Sequence, residues 1–196
     1  MLLDTQEVLF FKMNNKQNLS DKIKSDLIEI AKTSIEKSVK GEKLPDFKFD
    51  EPVMNEKRGA FVTIKKSGKL RGCIGYVLPL FPLYETVLKA AKAAALEDPR
   101  FPSVSKNELK DLKIEISVLT PMKEIEDVNE IEVGKHGIMI KKGPYQGLLL
   151  PQVATEYNWD RKTFLEHTCL KAGLDMNAWR DKDTTILIFS AEVFEE

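Results

Sequence analysis

The chain has 196 residues, 42% hydrophobic and 31% charged, a balance that fits one domain or two subdomains sharing a core and excludes a disordered or fibrous chain. With 30 basic against 31 acidic residues the net charge is −1, so the basic footprint of a nucleic-acid binder is missing at the level of the whole chain. Apolar runs such as VLFF (8–11) and AAAL (93–96) are too short to span a bilayer.

Residues 1–18 form a poorly patterned leader, and Asp4 and Glu7 without a basic lead do not read as a signal peptide. Ser20 offers an N-cap for a helix to about Val39, with Leu27, Ile30, Ala31 and Ile35 on one face and Gly41 as its stop. A hairpin comes next: AFVTIKK (60–66), a turn at Ser67-Gly68, and KLRGCIGY (69–76). LYETVLKAAKAAALE (83–97) is helical, and Pro99 and Pro102 end it. Ser105 and Glu108 make a capping box before a strand at LKIEISVLT (112–120).

From Pro121 to Gly147 short strands and glycine turns predict a small β-rich subdomain. A helix covers about Asp160–Ala172 with Gly173 as its cap, and one last strand runs from 184 to 195. The expected class is α+β: a mainly antiparallel sheet flanked by helices, a second smaller β-rich subdomain, and a cleft between them.

Chemistry centres on LRGCIG (70–75). A tight turn at Ser67-Gly68 sets Ile64 opposite Arg71 and Val62 opposite Cys73, with Arg71 and Cys73 on one face. A cation two residues along the strand lies roughly 7 Å away, and a nearby cation favours the nucleophilic form of a cysteine. The same register surrounds Cys73 with apolar partners, and cysteine is often buried. Gly72 and Gly75 admit either a ligand or a bulge and close helix packing. Activated thiol and buried residue both remain open.

Asp98 and Arg100 lie in a loop after a helix, where Arg100 suits an oxyanion or phosphate. His136 sits at a turn as a candidate acid or base, and Gln152 comes just after a strand break where its amide could enter a cleft. His167 falls beside an apolar stripe that includes Cys169, which predicts a core role. No combination of Cys73, Cys169, His136 and His167 has metal-ligand spacing. Two distant cysteines make no disulfide framework, so a reduced, cytoplasmic setting is expected. The basic run KKSGKLR (65–71) is a solvated turn or, as a third reading, a local nucleotide or RNA patch.

The blocks RGAFVTI (58–64), LRGCIG (70–75), EDPRFPS (97–103), LKIEISVLTP (112–121), GKHGIMI (134–140), GLLLPQVATEYNWD (147–160) and CLKAGL (169–174) occur in this order over about residues 20–196. Together they resemble the AMMECR domain family, whose hallmark is LRGCIG. The resemblance covers 19–196, leaves out the leader, and implies a two-subdomain α/β fold with a cleft near the hallmark strand. It also implies, in microbes, association with Memo-like and radical-SAM proteins in a modification system. Its suspected site falls on Arg71, Gly72, Cys73, Ile74 and Gly75, and it supplies neither a settled activity nor a cofactor.

Two functional readings compete. In the first, the protein is an enzyme component with Cys73 as nucleophile or acceptor thiol, Arg71 stabilising its anion, and Gly72, Ile74, Gly75, Asp98, Arg100, His136 and Gln152 as substrate contacts. In the second, it is a non-catalytic binding module whose hallmark glycines shape a groove for a protein partner.

Overall fold

The structure, a computed structural model, describes residues 19–196, so the leader expected at 1–18 lies outside the described residues. The chain divides into two compact units, one running through Leu119 and taking in Glu192–Glu196, the other Thr120–Ala191. Each has its own antiparallel sheet flanked by helices, which is the α+β class expected.

In the first unit, helix α1 (Asp21–Lys40) starts where Ser20 accepts a hydrogen bond from Ile23 N and ends at Gly41 in the left-handed region, φ 73°. Asp21 in its first turn and Lys37 and Lys40 in its last complement the helix dipole. A one-turn helix, α2 (Pro52–Asn55), precedes the hairpin of β1 (Ala60–Lys66) and β2 (Lys69–Tyr76). Ser67 and Gly68 both adopt positive φ, 51° and 74°, as a two-residue hairpin turn with the right twist requires.

Helix α3 (Leu83–Leu96) is built from alanines and leucines whose small side chains allow close packing on the hairpin. Ser34 of α1 is buried but satisfied, its hydroxyl donating to Leu88 O of α3 at 2.7 Å. A 3₁₀ helix (Lys106–Asp111) then leads into β3 (Leu112–Leu119), its start fixed by the expected capping box between Ser105 and Glu108. The sheet order is β2-β1-β3-β8, with β8 at Ala191–Glu195. Its core face carries Val62, Ile64, Ile114 and Ile116 against Leu27, Ile30, Val87 and Ala91.

The hairpin register departs from the one expected. Lys66 faces Lys69 as predicted, but a bulge between Ile64 and Lys65 displaces the remaining pairs: Ile64 faces Gly72, Val62 faces Ile74, and Thr63 faces Cys73. One extra residue on a strand moves every later side chain to the opposite face. Gly72 and Ile74 therefore share the core side with Val62 and Ile64, while Cys73 shares the other side with Thr63.

The second unit contains β4 (Lys123–Ile125), β5 (Gly137–Lys142), β6 (Tyr145–Leu149) and β7 (Thr185–Phe189), ordered β4-β7-β5-β6. Helices α4 (Pro151–Glu156) and α5 (Arg161–Lys171) complete it, and Ile138, Ile140, Phe164, Leu165, Cys169 and Ile188 form its core. The single last strand expected over 184–195 is in fact two. Ser190 interrupts it, donating its N–H to Thr120 Oγ1 at 2.9 Å and accepting from Thr120 N at 2.8 Å, and β7 and β8 join different sheets.

Candidate functional site around Cys73

Among the described residues β2 is an edge strand, and at Cys73 the main chain has no strand partner on its outer side. Asp98 and Arg100 supply one. Cys73 N–H donates to Asp98 Oδ2 at 2.8 Å, and Arg100 Nη2 donates to Cys73 O at 3.1 Å. The two side chains hold each other: Arg100 Nε reaches Asp98 Oδ1 at 2.9 Å, Nη2 reaches Oδ2 at 2.7 Å, and the Arg100 main-chain N–H caps Oδ1 at 3.1 Å. This is a bidentate pair, the strong geometry for arginine and carboxylate, whose carboxylate also accepts two main-chain N–H bonds and whose guanidinium also donates to one main-chain carbonyl.

The loop after α3 makes this possible, because Pro99 blocks helix continuation and leaves Asp98 turned back toward the sheet. The Asp98 side chain is 2% exposed, whereas that of Arg100 is 54% exposed. Hydrogen bonds from Arg100, and after them the N–H groups of Cys73 and Arg100, hold the Asp98 carboxyl well below the usual carboxylate range against the opposing effect of burial. Asp98 in turn raises Arg100, to which Cys73 adds a smaller effect.

Cys73 is half-buried, and Thr63 Oγ1 donates to its Sγ at 3.2 Å. Its own N–H is committed to Asp98, so it cannot serve as an oxyanion donor. The site thus offers a sulfur with a hydroxyl donor, beside a fixed guanidinium that keeps one nitrogen, Nη1, without a hydrogen bond among the described residues.

Arg71, expected to stabilise the Cys73 anion, is engaged elsewhere. It is the residue left without a pairing partner at the bulge, and its Nε and Nη2 bind Glu108 at 3.0 and 3.2 Å. Lys66 Nζ also reaches Glu108 at 3.0 Å, and Ser105 N–H does so at 2.9 Å. Arg71 first, then Ser105 and Lys66, hold the Glu108 carboxyl well below its ordinary value. The cation beside Cys73 is Arg100.

The hallmark glycines are packing residues. A Cβ on Gly72 would come within 2.1 Å of Ala94 O in α3, and one on Gly75 within 2.3 Å of the Phe61 ring. Gly72 is buried and Ile74 packs on the core, so the substrate contacts expected of these two do not match the faces they occupy. His136 and Gln152 belong to the second unit. His136 Nδ1 accepts from Glu132 N at 3.1 Å, and burial, then Lys135, pushes its pKa down. Gln152 is exposed on α4.

Cys169 lies in the core as expected, and burial pushes its thiol up. His167 does not share that core. It is exposed and stacks on Trp159, ring centroids 3.9 Å apart, because it faces away from the stripe that buries Leu165 and Cys169. Among the described residues no group of three His, Cys, Asp or Glu side chains could hold a metal ion. Sequence reasoning missed Thr63 and the anchoring role of Glu108. The signal for both was Gly72 within a strand, a common mark of a bulge.

Known proteins share this chain's pattern over most of its length. Protein NEQ441 of Nanoarchaeum equitans is 44% identical over 181 residues, covering 87% of this chain and 99% of its own. Protein TK0174 of Thermococcus kodakarensis is 45% identical, covering 87% and 88%. The crystal structure of uncharacterized protein PH0010 from Pyrococcus horikoshii is similar with a TM-score of 0.71 at 42% identity, covering 91% of this chain and 93% of that one. The sequence profile of the AMMECR1 family matches residues 28–194, and the chain belongs to that family.

Proposed function

We propose that the protein is a thiol-bearing component of a modification system, with Cys73 Sγ as its nucleophile or acceptor and Arg100 as the cation that receives an anionic group of the substrate. One observation carries this reading. The sulfur lies off the core face, takes a hydroxyl hydrogen bond from Thr63 at 3.2 Å, and stands on a main chain pinned by Asp98 and Arg100. Asp98 is too firmly bound to act as base, so the thiol proton passes to solvent. Memo-like and radical-SAM proteins are the partners we propose, with the family resemblance as support, in a reduced cytoplasmic setting that the two free cysteines support.

Iodoacetamide labelling of the folded protein tests the reading. Cys73 reacts below about pH 8 while buried Cys169 does not, and Thr63→Val slows Cys73 by a few fold. An inert Cys73 under those conditions ends the proposal.

A second reading is a non-catalytic docking module. Leu78 and Leu80, 37% and 56% exposed on the loop after β2, favour it. Cys73→Ser separates the two: complementation lost with partner capture intact supports the thiol role, and complementation retained supports docking.

A further inference from the structure

A second concave region lies in the first unit, apart from Cys73. It is a groove of about 750 Å³ bounded by α1, the 3₁₀ helix and the start of β3, within the size range of small-molecule sites, about 300–1,000 Å³. Its floor is apolar: Leu109 and Leu112, partly buried, lie over Ile35 and Ile114 of the core.

The rim is cationic. Of the lysines that line the groove, Lys32 pairs with Glu196 and Lys40 with Glu36. Lys106 and Lys110 make no ion pair among the described residues. Their placement comes from 3₁₀ geometry. With three residues per turn, Lys106 eclipses Leu109 and Asn107 eclipses Lys110, and all four line the groove. The remaining face holds Glu108, whose carboxylate is taken by Arg71 and Lys66. The acid of this helix that could neutralise the two lysines is therefore directed to β2. Although Glu42 lies within Coulomb range of Lys106, the helix presents two ammonium groups without an ion pair among the described residues, above an apolar floor on a firmly anchored support.

We infer that this groove binds a small amphipathic organic anion. Its carboxylate, phosphate or sulfonate head pairs with Lys106 and Lys110, and its apolar body lies on Leu109 and Leu112. The volume suits a small molecule, and the charge pattern suits a single anionic head. The assignment stands independently of the thiol chemistry.

The probe is anilinonaphthalenesulfonate, compared with phenylnaphthylamine, which keeps the ring system without the sulfonate. Fluorescence titration tracks binding, and amide NMR shifts locate it. The expected result is saturable one-site binding of the sulfonate, with shifts confined to Lys32–Lys40, Lys106–Ile114 and Glu196. Charge reversal in the Lys106→Glu, Lys110→Glu double variant weakens it about tenfold or more, the scale of a lost charge-assisted contact. Asn107→Trp, an exposed lining position, blocks the groove without altering its charge and abolishes binding while the amide spectrum stays folded. Equal affinity for the neutral analogue overturns the anionic assignment. Shifts elsewhere, or affinities unchanged in both variants, overturn the site. Binding of a Glu- and Leu-rich peptide there with none of the sulfonate overturns the small-molecule class.

Discussion

Two arginine–carboxylate pairs flank Cys73 along the hallmark strand, and they differ in what they leave available. In Arg71–Glu108 the side chains are 12% and 19% exposed, and the carboxylate also gathers Lys66 and Ser105. In Asp98–Arg100 the carboxylate is almost fully buried but the guanidinium is 54% exposed. The first pair commits Nε and Nη2 of its arginine to hold the 3₁₀ helix and leaves Nη1 buried without a partner among the described residues. The second uses its acid to hold an arginine in the open, oriented next to a thiol. Exposure of the guanidinium, rather than the presence of the pair, distinguishes an anchoring cation from one that can meet a ligand.

Three substitutions test that contrast. Arg71→Ala has the largest expected effect on stability. It leaves Glu108 with part of its compensation gone, and breaking a buried pair costs about 3 kcal/mol; urea unfolding reads this, while Cys73 labelling changes little. Asp98→Ala comes next. It leaves the Cys73 N–H without its acceptor, costing about 2 kcal/mol, and it also alters the Cys73 labelling rate.

The acid response of this variant provides an independent check. The Asp98 carboxyl is depressed in the folded protein, so its contribution is present above the unfolded carboxylate pKa of about 4 and is lost as pH falls through that region and below. The slope of stability against pH should therefore be shallower in Asp98→Ala than in the parent. Arg100→Gln keeps an amide donor beside the buried Asp98 carboxylate and removes a guanidinium that is half in solvent, so its effect on unfolding is expected to be smaller than that of the other two. It should nevertheless lower Cys73 reactivity toward the anionic iodoacetate more than toward neutral iodoacetamide. Equal losses for the two reagents would show that the guanidinium merely supports the strand.

Much of the scaffold was legible because its signals are local. Ser20 and Gly41 bound α1, Ser67-Gly68 sets a tight hairpin, and Ser105 with Glu108 starts the 3₁₀ helix. The site was less legible because it depends on pairing. A turn fixes only the first cross-strand pair, and one bulge beyond it exchanged Val62 for Thr63 as the neighbour of Cys73. Asp98 and Arg100 were readable as a polar loop pair. That they return 25 and 27 residues to close on Cys73 depends on the packing of α3, which no local pattern encodes. The break at Ser190 was hidden for a similar reason, since TTILIF and AEVFE read as one continuous strand.

The clamp at Cys73 also bears on how the molecule behaves among its own copies. An edge strand invites another chain to add itself, and it can do so only where N–H and C=O groups are free. Asp98 and Arg100 occupy both at the middle of β2, so an incoming strand meets a carboxylate and a guanidinium where it needs a backbone. The same two residues that orient the thiol's surroundings keep this sheet from growing sideways. Loss of Asp98 should therefore show first as clumping on mild heating, before the fold itself gives way.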